Sequence, residues 1–129
     1  MAELILQSAD LKSEKHVPAI DAPDKVKKGE LVEVAVSVGK EIPHPNKAEH
    51  HIKSIEVYFL IPDEKFPLQV ARFEFNTHGE SAKGPDTSTV YADPKVKAYF
   101  KTERAGTILA TSYCNIHGVW KSTKELTVE

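Results

Sequence analysis

Residues 30–38 read ELVEVAVSV. Val32, Val34, Val36 and Val38 fall at every second position, with Glu33, Ala35 and Ser37 between them. Successive side chains of a strand point to opposite faces, so this spacing predicts a strand with one apolar face turned to a core. Working outward, IKSIEVYFLI (52–61) repeats the pattern through Ile55, Val57, Phe59 and Ile61. LQVARFEF (68–75) puts Ala71, Phe73 and Phe75 on one side. TSTVYA (87–92) and VKAYFKT (96–102) are shorter strand signals, and TILATSYC (107–114) and VWKSTKELTV (119–128) close the chain.

The total is about seven strands with turn signals between most of them, the pattern of an all-β sandwich or small barrel. All eight prolines fall outside these runs or at their ends, as expected of a residue that cannot donate to a sheet ladder. PDEKFP (62–67) reads as a turn joining two antiparallel strands, and HGESAKGPD (78–86) as a polar loop. No helical periodicity, internal repeat or linker interrupts the pattern, so residues 1–129 are read as one domain. Tyr58, Phe59, Phe73 and Phe75 read as core, and Trp120 as a packing residue rather than a reacting one.

The net charge of −2 and the lack of a basic block give no reason to expect nucleic acid. No apolar run approaches the length of a membrane span. MAELILQSADLKSEKHVP (1–18) lacks the basic-then-apolar order of a signal peptide. A single cysteine forms no internal disulfide, so a cytoplasmic, reducing setting is expected. No Gly-rich strand-to-helix turn is present to bind a nicotinamide or flavin.

Six histidines remain to be explained: His16, His44, His50, His51, His78 and His117. Singly, each is most simply a surface or loop residue, and Cys114 a small buried filler. Their placement changes this. His16, His44, His50, Cys114 and His117 all sit in strand-end loops, which a sandwich gathers at its two ends. Cys114 and His117 are three apart, so one turn can offer a thiolate and an imidazole to one metal. Such a turn can also aim backbone N–H groups at the sulfur.

Several imidazoles with one thiolate suit iron, copper or zinc and disfavour calcium or magnesium. Structural zinc usually takes more sulfur. A cupredoxin-like copper electron carrier is the rival reading, although Met1 is the only methionine to serve as an axial ligand. A metal-free interaction module is the third.

EKHVP (14–18), HPNKAEHHI (44–52) and CNIHGVW (114–120) together resemble, in order and spacing, the signature segments of the superoxide reductases, also called neelaredoxins. The resemblance implies an immunoglobulin-like β-sandwich with one mononuclear iron per chain, cycling between Fe2+ and Fe3+. It implies His16, His44, His50 and His117 as equatorial ligands and Cys114 as the axial thiolate. Glu14 would fill the sixth position in the oxidised form, and Lys15 would be the cation beside the open one. His51 and His78 match no ligand position, and His51, directly after His50, would project the other way once the strand has begun.

The implied reaction is one-electron reduction of superoxide to hydrogen peroxide, with electrons from a rubredoxin-like donor protein. One cysteine leaves no place for a second iron held by four cysteines, so the chain resembles the one-iron class, whose members are often homotetramers.

Overall fold

Val32, Val34 and Val36 are all buried, at 1% exposure or less, while Glu33 between them is exposed. They form β3 (Val32–Ser37) in the computed structural model, which describes residues 6–9 and 14–129. Met1 and half of the segment weighed as a leader lie outside the described residues.

Among the described residues, eight strands make two sheets. The smaller has the order β1 (Ala19–Asp21), β3, β6 (Lys95–Phe100), with both pairs antiparallel. The larger has the order β2 (Lys25–Val26), β8 (Gly118–Val128), β7 (Gly106–Cys114), β4 (Ile52–Leu60), β5 (Leu68–Glu74). Among the described strand pairs of this sheet only β2–β8 is parallel, and Gln7 adds an isolated parallel bridge to Trp120.

The valine face of β3 and Ala98 of β6 join one core cluster with Ile52, Ile55, Val57 and Phe59 of β4, Ile108 and Ala110 of β7 and Leu126 of β8. The fold is an immunoglobulin-like β-sandwich. Among the described residues no helix is long and apolar enough to cross a membrane.

Three expectations need correction. β1 and β2 are additional strands, of three and two residues, too short to show any periodicity. Residues 87–92 are not a strand: Val90 and Tyr91 are exposed, and only an isolated bridge links Tyr91 to His78. Here the Tyr91 ring covers Gly79, where a Cβ would come within 2.6 Å of it, so this loop closes around a glycine instead of pairing along a sheet. Tyr58 lies on the outer face of β4, where its hydroxyl bonds Glu56, rather than in the core.

β4 also carries an irregularity that positions the site. Against β7, Ile52 pairs with Cys114 but Ser54 pairs with Tyr113, leaving Lys53 as an extra residue. This bulge resets the alternation, so Ile52 and Ile55 both face inward. It lies where the chain leaves the histidine-bearing loop.

Candidate metal centre

Three chain segments converge at one end of the sandwich. The first holds Glu14, Lys15 and His16 ahead of β1. Its backbone is tied to the large sheet by Ser112, whose hydroxyl donates to the His16 carbonyl at 2.7 Å, and by Ser122, whose hydroxyl donates to the Pro18 carbonyl. The second is the loop 44–50 before β4. The third is the β7–β8 hairpin, where Cys114 pairs with Gly118 across a tight turn. Gly118 has φ of 79°, a conformation that side chains other than glycine's adopt at a cost.

The potential ligand atoms of His16, His50, Cys114 and His117 all lie within 4.8 Å of one another. His16 Nε2 is 3.1 Å from His117 Nδ1, and Cys114 Sγ is 3.9 Å from that same nitrogen. His44 stands outside this closest group, but its ring centroid is 4.8 Å from those of both His16 and His50, edge toward face. Its Nδ1–H donates to the Pro45 carbonyl at 2.7 Å, which fixes the tautomer and leaves Nε2 with a free lone pair.

The Nε2 atoms of His44 and His50 are buried and have no hydrogen-bond partner. Buried polar atoms are normally paired, so two such nitrogens beside a buried thiol fit a metal that would satisfy them. Burial holds the His44 pKa down to about 4, only partly offset by the Pro45 bond and reinforced by the electrostatic influence of His16, His50 and Lys15 nearby. Burial first, then His117, also lowers His50. His44 is therefore neutral at pH 7 and burial favours the neutral form of His50, the state a metal requires.

Cys114 is fully buried, and its sulfur accepts the His117 backbone N–H at 3.4 Å. Trp120 stacks on His16, as a packing role predicts, while its indole N–H donates to the His117 carbonyl at 3.2 Å. His117 itself is exposed, so the centre reaches the surface there.

Residues 8–123 match the desulfoferrodoxin family model. The chain belongs to the desulfoferrodoxin family. Among its relatives, the superoxide reductase of Pyrococcus furiosus is 53% identical, with 96% of each chain covered. The neelaredoxin of Megalodesulfovibrio gigas is 46% identical over 97% of this chain and 96% of its own. The solved structure of Archaeoglobus fulgidus superoxide reductase (neelaredoxin), in the reduced form, superposes with a TM-score of 0.87 at 52% identity. That match covers 95% of this chain and 98% of the other. The chemistry of a desulfoferrodoxin gives the His/Cys cluster its metal, one mononuclear iron per chain.

The remaining expected residues take distinct places in this desulfoferrodoxin. Glu14 is not in the closest ligand group. Its Oε1 accepts the His16 backbone N–H at 2.9 Å and pairs with His16 Nδ1. Burial opposes its ionisation, but these bonds and the electrostatic attraction of the His16 ring win and hold its pKa below the usual carboxylate value. Lys15 lines an open cleft together with Lys47, Glu49, His44 and His50. The turned-away disposition expected of His51 is found even though β4 begins one residue later, at Ile52. Its buried ring stacks face to face on His78, centroids 3.5 Å apart and planes 6° from parallel.

Asn115 is the residue that the reading of motifs passed over. Its side chain and backbone reach across to the loop before β4, and its only signal was its place between Cys114 and His117.

Proposed function

We propose that this protein is a superoxide reductase, catalysing O2•− + e− + 2H+ → H2O2 at one mononuclear iron. The observation that carries this reading is the pair of orphaned Nε2 atoms, on His44 and His50, set beside the buried thiol of Cys114. In this proposal His16, His44, His50 and His117 hold the iron through imidazole nitrogens and Cys114 through sulfur. When bound, iron supplies a one-electron couple and a coordination position open to a small anion.

The protein's own groups account for the rest. The neutral imidazoles leave the centre cationic, which favours an anionic substrate. Lys15 and Lys47 line the cleft over His44 and His50 and draw superoxide toward it. The N–H of His117 stabilises charge on the Cys114 sulfur and so tempers its donor strength. Glu14 fixes the orientation of His16 through Nδ1, and its carboxylate would be the anionic group that this segment offers to a ferric ion. Trp120 excludes water from one face of His16.

Residues 1–129 act as a single iron-binding domain in this proposal. Electrons come from a separate small redox protein of the rubredoxin kind, since the chain has no nicotinamide or flavin motif. The setting is cytoplasmic and the assembly a homotetramer. The test is to measure iron content, then superoxide consumption by the reduced protein under anaerobic conditions. Stoichiometric consumption with peroxide formed and no oxygen released is expected. Protein that holds iron but releases oxygen in step with peroxide would be a dismutase and would overturn the reading.

A further inference from the structure

Two histidines are left without a function by the metal centre, and both are buried. His51 and His78 are 9% and 3% exposed, stacked ring on ring, and neither belongs to the ligand cluster. Each ring is anchored. His51 Nδ1–H donates to the Lys47 carbonyl at 2.8 Å, inside the loop between His44 and His50. His78 Nε2–H donates to the Phe75 carbonyl at 2.7 Å, just past the end of β5. The stack thus ties the ligand loop to the edge of the large sheet.

The same stretch is gripped from the other side by Asn115. Its Oδ1 accepts the His51 backbone N–H at 2.9 Å, and its Nδ2 donates to the Glu49 carbonyl at 3.0 Å. Its backbone N–H donates to the His51 carbonyl at 3.2 Å. Asn115 therefore bonds the residue before His50 and the residue after it. Since Asn115 directly follows Cys114, these bonds set the distance between one ligand loop and the other. They also lie beside the β4 bulge, where the ladder gives the least support.

We propose that Asn115 and the His51–His78 stack form one positioning brace that holds His50 in register with Cys114 and His117. Asn115 fixes the backbone on both sides of His50, and the stack keeps that backbone from sliding or rotating away. None of the three touches the reacting atoms. The inference rests on the metal-site reading given above and assigns to it a support that lies outside the ligand set.

The test compares wild type with Asn115→Ala, His78→Ala and the double variant. It measures iron affinity by chelator competition, the visible absorption of the ferric protein and the melting temperature of the iron-free protein. Loss of a group that orients a metal ligand typically weakens metal binding by about 10–100-fold. About tenfold weaker binding with a shifted absorption band is expected for Asn115→Ala. His78→Ala is expected to change both in the same direction. The double variant should fall well short of the product of the two singles, because both act through the same backbone.

If His78→Ala fails to fold, His78→Phe, which keeps a flat ring but loses the bond to Phe75, takes its place. Wild-type affinity and an unmoved band in Asn115→Ala would overturn the brace, as would a change confined to the melting temperature. Wild-type protein that takes up no iron would overturn the metal-site reading and the brace together.

Discussion

The indole of Trp120 lies nearly flat on the imidazole of His16, with centroids 5.0 Å apart and planes 14° from parallel. The same indole donates to the carbonyl of His117. One half-buried side chain therefore supports a ligand from the first segment and a ligand from the last. Aromatic stacking contributes about 0.5–1.5 kcal/mol beyond area burial. Trp120→Ala is expected to weaken iron retention by about tenfold, in line with other outer partners of metal ligands. Trp120→Phe, which keeps the stack and loses the N–H, should recover part of that. Chelator competition on the three proteins checks it, and equal retention in all three would remove Trp120 from the site.

Lys15 tests the approach of the substrate. Lys15→Ala should leave iron bound and slow the bimolecular reaction with superoxide by about tenfold at low ionic strength, the lower end of electrostatic steering. The gap between variant and wild type should narrow as salt shortens the screening length. Pulse radiolysis or stopped-flow rates at two ionic strengths decide the matter. A rate unchanged at low salt would count against any part for this cation.

Glu14 is bonded to His16 here, which gives it two separable effects. Glu14→Ala should change the ferric absorption spectrum, since the carboxylate no longer reaches the centre. It should also loosen iron by about tenfold through the freed His16 ring. Reduction of superoxide by the loaded ferrous protein should remain largely intact. Glu14→Gln keeps an oxygen for the His16 N–H and should restore affinity more than it restores the spectrum. Identical ferric spectra in all three proteins would place Glu14 outside the coordination sphere.

Stability against acid follows from the buried imidazoles. His44 has a folded pKa of about 4 against an ordinary value of 6.5, so between these the unfolded chain holds more protons. Stability of the iron-free protein therefore rises with pH across this window. It is complete above about 6.5 and is lost as pH falls toward 4. His50 and His78 are lowered by burial too and act in the same direction. Melting temperatures of iron-free protein across the window should fall steadily, and His44→Gln should flatten the slope. A flat profile for the unsubstituted protein would contradict this.

What could be read from the sequence divides along physical lines. The valines of β3 are legible because strict alternation has one geometric solution, and the Cys-x-x-His turn because its ligands are neighbours in the chain. The bulge at Lys53 is not legible: it leaves Ile52 and Ile55 both apolar, which reads as a change of phase without saying where the extra residue falls. β1 and β2 form only because neighbouring strands supply partners for a few residues each. Residues 87–92 have strand-like composition, but Tyr91 is used to cover Gly79. The stack of His51 on His78 and the bonds of Asn115 join residues far apart in sequence, and pattern within a single segment carries no trace of them.

His16 and His117 face each other across 101 positions of the chain. A ribosome that has delivered His16, His44 and His50 has made three imidazoles without their thiolate, because Cys114 follows all three in the chain. In the proposed site the ligand set is complete only after Cys114 and His117 have been made, so iron would be loaded after them. Once in place, the ion would be a cross-link between segments 101 positions apart, and a chain broken off before Cys114 would have no means of closing it.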